Sequence, residues 1–324
     1  MLRSMYSGIS GMKGFQTKLD VIGNNIANVN TYGFKKGRVV FKDLISQTQA
    51  GASGASQIQG GVNAKQIGLG SQLAAIDTIH NSGSLQTTGR VLDLAISGEG
   101  FFMVADSKTY TPPAQGTPAK ATGTENISYT RAGNFYMDAN GYIVNGDGKY
   151  LVGYANTNAP NYIATNTAGS KFDDDKTQFK TTPGTNLYDP ADTNPFNPTV
   201  APIVIPTTAQ SMSISQDGTI SFVDANGDLQ YAGTIYLAKF PNAEGLEKKG
   251  SNYFSVTQNS GSPYVQLGSV DGIGAVISGA VEMSNVDLSE EFTEMIVAQR
   301  GFQANTRIIT TSDEILQELV NLKR

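Results

Sequence analysis

Residues 287–324 read DLSEEFTEMIVAQRGFQANTRIITTSDEILQELVNLKR, and through them Leu288, Met295, Phe302, Ile309 and Leu316 recur at every seventh position. A second row, Phe292, Gln299, Thr306, Asp313 and Val320, runs beside it. Apolar residues at this spacing line one side of an α-helix, and two such rows make a narrow seam that must be covered by another helix. The punctuation agrees with a helix. Asp287 stands as N-cap with Glu290 three residues on as its capping-box partner, Glu291 and Glu294 lie near the positive end of the dipole, and Lys323 and Arg324 close the other end.

The first thirty residues repeat the pattern. Met5, Met12, Leu19 and Ile26 form one heptad row, and Leu2 and Ile9 begin a second that continues into Gln16 and Gly23. The spacing predicts a helix over about residues 3–28, ending in the stretch that holds Asn24, Asn25, Asn28 and Asn30, because Asn favours caps and turns. Gly8, Gly11, Gly14 and Gly23 each cost roughly 1 kcal/mol relative to Ala inside a helix. Both ends are therefore expected to become helical only on association, with the seams pairing first with each other and then with copies of the same chain.

Between the ends the sequence turns β-rich. Apolar runs such as Leu92–Ala95–Phe101–Val104, Ile143–Tyr150–Tyr154, Ile214–Phe222 and Ile235–Phe240 alternate with turn signals, and Asp-Ala-Asn-Gly occurs at both 138–141 and 224–227 as a hairpin signature. The expected fold class is α+β: terminal helices forming a coiled-coil layer, a mainly β central domain and a small inserted outer lobe. The expected boundaries are 1–34 with 285–324 for the helical assembly domain and 35–70 for an extended linker. Residues 71–155 with 207–284 form the β core, and 156–206, rich in Asn, Thr, Pro and Asp, the outer insertion. Residues 107–128 read as a shorter excursion.

Composition narrows the chemistry. A net charge of −5 without a clustered basic face argues against nucleic acid as a partner. With no cysteine and one histidine, His80, the chain cannot build a Cys/His or histidine-rich metal site, and no G-x-S-x-G elbow accompanies His80. The Asp-Ala-Asn-Gly pairs lack the further ligands of a calcium loop. No enzyme, cofactor or metal is expected. A glycoside hydrolase needs only two carboxylates, so a secreted β-rich hydrolase is the alternative from another class, though it leaves the helical seams unexplained. No window approaches the roughly 18 apolar residues of a membrane span, and Arg3, Ser4, Ser7, Gly8, Ser10, Gly11 and Lys13 interrupt any signal-peptide core, so export without a cleaved signal is expected.

Several motifs resemble the bacterial flagellar rod and hook family of axial proteins. Ser7-Gly8-Ile9-Ser10-Gly11-Met12, Asn24-Asn25-Ile26-Ala27-Asn28 and Thr31-Tyr32-Gly33-Phe34-Lys35 resemble its N-terminal signature. Leu92–Ile96, Gly100–Phe102 and Tyr129–Phe135 look like its central β region, and Ser284–Leu288 through Leu319–Leu322 like its C-terminal helix. Within the family, Met295–Arg300 and Val320–Leu322 look most like hook members, with distal rod members second. The resemblance implies a self-polymerising subunit exported by the flagellar type III apparatus, located outside the cell in the basal body and hook. Its partners would be copies of itself, the rod, the hook cap and the hook–filament junction, and it would form a curved tube that transmits motor torque. The assembly seam is then expected at Leu2, Met5, Ile9, Met12, Leu19, Ile26, Leu288, Phe292, Met295, Phe302, Ile309, Leu316 and Val320.

Overall fold

The computed structural model describes residues 2–54, 60–106, 127–155 and 200–322. Two helices bracket a chain of short strands, as an α+β sequence requires: α1 is Leu2–Ala27 and α2 is Leu288–Asn321. The chain divides into two compact units, one of residues 1–29, 36–79 and 286–324 and the other of 30–35 and 80–285.

The first unit holds both helices and two ribbons. Strands β1 (Gly37–Asp43) and β4 (Ser71–Thr78) pair antiparallel, as do β2 (Ser46–Ala50) and β3 (Lys65–Gly68). The stretch 35–70, expected as a linker, is thus extended but hydrogen-bonded, and 71–79 belongs with it rather than with the β core. Its Gly, Ser, Ala and Gln content hid the β2–β3 pairing, because a ribbon exposed on both faces needs no apolar alternation.

The second unit is built from β5 (Leu85–Thr87), β6 (Leu94–Ser97), β7 (Phe101–Ala105), β8 (Ile127–Thr130), β9 (Phe135–Met137), β10 (Ile143–Asn145), β11 (Tyr150–Ala155) and β12 (Val200–Pro202). It continues with β13 (Ser211–Ile214), β14 (Thr219–Val223), β15 (Leu229–Ile235), β16 (Leu237–Lys239), β17 (Glu247–Gly250), β18 (Tyr253–Ser255), β19 (Tyr264–Gln266), β20 (Ala275–Ser278) and β21 (Ala280–Glu282). An antiparallel path runs β13-β14-β15-β11-β7-β8-β18-β17. Successive side chains leave a strand on opposite faces. In β7, Phe102 and Val104 enter one apolar cluster with Leu151, Ile235 and Leu237, while Phe101 and Met103 enter another with Val152, Tyr236 and Phe254. Both faces are buried, which is why these strands read as continuous apolar runs.

Three-residue turns ending on a left-handed glycine join many of these strands. Residues 138–142, 145–149, 215–219 and 224–228 each close with paired backbone hydrogen bonds, and Gly141, Gly148, Gly218 and Gly227 have φ of 82°, 78°, 90° and 89°. The expected Asp-Ala-Asn-Gly hairpins are two of these, with three-residue rather than two-residue loops. The expected insertion 156–206 ends too late: β12 pairs with β11, and Ile203, Val204 and Ile205 are core residues. Residues 156–199 and 107–126, including the expected outer lobe, lie outside the described residues.

A buried ionic cluster ties the ends of the second unit together. Lys35 Nζ donates to Glu282 Oε1 at 2.5 Å and to the Asn81 carbonyl at 2.7 Å, while Arg131 Nη1 donates to Glu282 Oε2 at 3.1 Å. Arg131 Nη2 reaches the Gly98 carbonyl and the Gly83 amide donates to Glu282 Oε1. All three charged side chains are 2% exposed or less. Burial lowers the Lys35 pKa, an effect the Glu282 carboxylate opposes. Beside them the His80 ring meets Phe101 and Phe254 edge-on, with neither ring nitrogen hydrogen-bonded. Burial, then the cations Lys35, Arg131 and Lys248, push its pKa down to about 4 from 6.5.

Glu282→Gln leaves two cations buried without their anion and is expected to cost about 3–5 kcal/mol in urea unfolding. Glu290→Gln, which breaks only the partly exposed pair with Lys36, should stay within about 1 kcal/mol. For His80 the unfolded state takes up a proton near 6.5 and the folded state only near 4. Its contribution to stability is therefore complete above the higher value and lost as pH falls through the lower one. His80→Phe should flatten that part of the stability profile, measured by urea titration across the interval.

Candidate functional site

The terminal helices pair antiparallel. Asn25 Nδ2 donates to Glu291 Oε2 at 3.1 Å, Lys18 meets Glu294 at 3.0 Å, and further along the pair Phe15 lies over Gly301, then Gly11 and Gly8 over Asn305. Asp287 caps α2 as expected, its carboxylate accepting from the Ser289 and Glu290 amides. The reciprocal half of the expected capping box is replaced, since the Glu290 carboxylate takes the Lys36 ammonium at 2.7 Å.

The lines of contact are Gly8, Phe15 and Ile22 with Gly11, Lys18 and Asn25 on α1, facing Glu291, Ala298, Asn305 and Ser312 with Glu294 and Gly301 on α2. Each expected row lies one residue beyond one of these, a rotation of about 100° around the helix. The periodicity read from the sequence holds, and the rows it marked lie mostly beside the closest contacts, although Ile309 Cγ1 comes within 3.5 Å of a Cβ on Gly8, as near as the Asn305 carbonyl. Apolarity pointed to the larger side chains, whereas close approach is made by small ones: a Cβ on Gly301 would lie 2.5 Å from the Phe15 ring and one on Gly11 2.9 Å from Asn305 Nδ2. Within the chain each helix covers part of the other.

The displaced rows share one flank. Met5, Ile9, Met12, Leu19 and Ile26 on α1 and Met295, Phe302, Ile309 and Leu316 on α2 are all half-buried, and Thr306 Oγ1 comes within 3.8 Å of Met12 Sδ where the two flanks adjoin. Leu2 opens α1. Leu288, Phe292 and Val320 are 39%, 49% and 67% exposed. The opposite flank is occupied by the β1–β4 ribbon: Phe41 packs 6.5 Å from Phe15, and a Cβ on Gly14 would meet its ring at 3.0 Å. Toward its C-terminus α2 runs past the start of α1 in this register, and Ile315, Leu319, Val320 and Leu322 there are 42–82% exposed.

Two polar residues in the contact were not anticipated. Asn25 is buried, donating to the Gly37 carbonyl and Glu291 and accepting from the Gly37 amide. Burial raises the Glu291 pKa, and the Asn25 bond opposes that rise. Their signal was the seven-residue spacing from Lys18 and Ala298, read past because neither residue is apolar. No group of three or more His, Cys, Asp or Glu arranged for a metal occurs among the described residues. No described helix is long and apolar enough to cross a membrane.

Sequence comparisons agree with these elements. The flagellar basal body rod protein family matches residues 5–35, the flagellar hook protein FlgE/F/G D1 domain 120–222, and the flagellar basal body rod FlgEFG protein C-terminal domain 277–322. The chain is 51% identical over 325 residues, covering all of both proteins, to the flagellar basal-body rod protein FlgG of Bacillus subtilis (strain 168). It is 32% identical over 458 residues, again covering both completely, to the flagellar hook protein FlgE of Borreliella burgdorferi. Against the FlgG of Agrobacterium fabrum it is 33% identical over 322 residues, covering 97% of each.

The glycines of the helix pair separate by environment. A Cβ at Gly23 meets nothing within 4 Å, so Gly23→Ala is expected to stabilise the soluble protein by about 1 kcal/mol. Gly301→Ala drives a Cβ into the Phe15 ring and is expected to cost about 1–3 kcal/mol despite its better helix propensity. Urea unfolding followed by far-ultraviolet circular dichroism measures both.

Proposed function

The chain belongs to the flagellar rod and hook family of axial proteins, a structural family rather than an enzymatic one, and from that premise we propose that it is a subunit of the flagellar hook. In this reading copies polymerise through the terminal helix pair into a flexible curved tube that carries torque to the filament. The observation that carries it is the half-buried apolar flank of α1 and α2, opposite the ribbon-covered side. A flank so placed is covered by the same flank, or by the exposed end of α2, in another copy.

The full-length match to a hook protein at 32% identity supports the hook position. A second reading, the distal rod, is favoured by the 51% identity to a protein named for the rod. Export through the flagellar type III apparatus, a location outside the cell, and contacts with the rod, hook cap and hook–filament junction follow from either placement as parts of the proposal. The β-rich hydrolase reading falls with membership of the family. Electron microscopy of cells lacking the protein separates the two placements, because loss of a hook leaves a complete rod and loss of the distal rod does not.

Placing Ser at Leu19 and Phe302, on the flank but off the direct contact lines, is expected to abolish polymerisation while the second unit keeps its urea midpoint. Tubes of normal yield from that variant, seen by negative-stain microscopy, would sink the assignment of the flank.

A further inference from the structure

Three Asn-Gly pairs occur in the chain, at 140–141, 145–146 and 226–227, and two of them sit in the same tetrapeptide, Asp-Ala-Asn-Gly. The fold treats them differently. We propose that Asn226 is a site of spontaneous deamidation, and that the packing of the second unit protects Asn140 and Asn145 from the same reaction.

Locally the two Asp-Ala-Asn-Gly turns match. The glycine amide donates to the aspartate carbonyl at 2.9 Å in each, and the Asp138 and Asp224 carboxylates accept from the alanine amides at 2.6 and 2.7 Å. Their surroundings differ. Gly141 is buried, its carbonyl accepts from the Ile205 amide at 2.8 Å, and a Cβ there would meet the Ile205 backbone. Asn140 Nδ2 also reaches Asp138 Oδ2 at 3.5 Å. At the other turn residues 225–229 are exposed, nothing lies within 4 Å of a Cβ on Gly227, and the neighbouring Gln210 touches the tip through the Ala225 carbonyl at 3.2 Å. Asn145 is held most firmly, its side-chain oxygen accepting from the Asp147 and Lys149 amides while Nδ2 donates to the Tyr253 hydroxyl.

The reaction needs only water. The Gly227 backbone nitrogen gives its proton to solvent base and attacks Asn226 Cγ. The new C–N bond closes a five-membered succinimide, the bond from Cγ to the side-chain nitrogen breaks, and that nitrogen takes up a proton and leaves as ammonia. Water then opens the ring at either carbonyl, leaving aspartate or isoaspartate at 226. Glycine at the attacking position is the least hindered residue for this closure, having no Cβ. Attack requires the Gly227 amide to leave the Asp224 carbonyl, so the rate follows the cost of opening the turn. At an exposed tip that cost is small; at Gly141 it includes the Ile205 hydrogen bond and exposure of core. The product adds a negative charge between Asp224 and Asp228, and isoaspartate lengthens the backbone at the β14–β15 turn.

The test is peptide mapping by mass spectrometry of the soluble full-length chain during incubation in mildly alkaline buffer. Amide-to-acid conversion at Asn226 is expected to run about tenfold or more faster than at Asn140, with Asn145 slowest. The repeated tetrapeptide supplies the control: in concentrated urea Asn226 and Asn140 should react at similar rates. Comparable rates in the folded protein overturn the proposal. So does a preference for Asn226 that persists undiminished in urea, since the flanking sequence would then be its cause.

Discussion

The close approach of α1 to α2 sets the rest of the first unit. Gly301 gives the Phe15 ring its place, and Gly11 lets Asn305 come against the α1 backbone. Small residues on one helix seat larger ones from the other, as Gly301 seats Phe15, so the bulky rows at the next positions are left to one side of the contact. There they stay half-covered, while Phe41 of the ribbon packs beside Phe15 and Gly14 on the opposite side. The polar contacts Asn25–Glu291 and Lys18–Glu294 fix the longitudinal register, since a shift of one turn would take the buried Glu291 carboxylate away from Asn25.

In the second unit a comparable role falls to Glu282. The chain passes between the units at 29/30, 35/36, 79/80 and 285/286. The segments of the β unit beside those passages are bonded to one another: Lys35 to Asn81 and Glu282, Gly83 to Glu282, the Gly33 amide to the Glu282 carbonyl, and Asn285 to Phe34. A buried carboxylate between two cations adds little net stability over an apolar core of the same shape, but it penalises any arrangement that separates its partners. Segments distant in sequence are thereby held in one place by a cluster that tolerates no partial assembly.

Much of this was legible in the sequence. The seven-residue spacing located both helices within a residue or two, and Asp287 was identifiable as a cap because its side chain acts on its immediate neighbours. The displacement of the rows was not legible, because it depends on glycines whose value lies in what they allow a partner to do. Asn25 was read as part of the stretch that ends the helix, whereas it lies within α1 and is buried against Gly37 and Glu291. The β2–β3 ribbon escaped because pairing exposed on both faces leaves no apolar alternation. Glu282 escaped because a charge next to the apolar pair Ala280 and Val281 reads as a solvated strand end until Lys35 and Arg131, 247 and 151 residues away, are brought to it. Ile203–Ile205 were absorbed into the polar stretch preceding them, although three β-branched residues in a row are a core strand's composition.

Under the proposed function, the half-buried flank is a particular kind of assembly surface. Each side chain on it has already lost part of its hydration and rotamer freedom to the α1–α2 pair, so covering the remainder gains less hydrophobic free energy than burying an exposed residue but also costs less ordering. Such a contact is weak in a single pair of subunits and becomes effective where every copy makes it with several neighbours, as in a polymer. Gly11 permits the close approach to Asn305, and all four glycines lower the stability of α1 as an isolated helix, which under the same proposal leaves association to contribute appreciably to it.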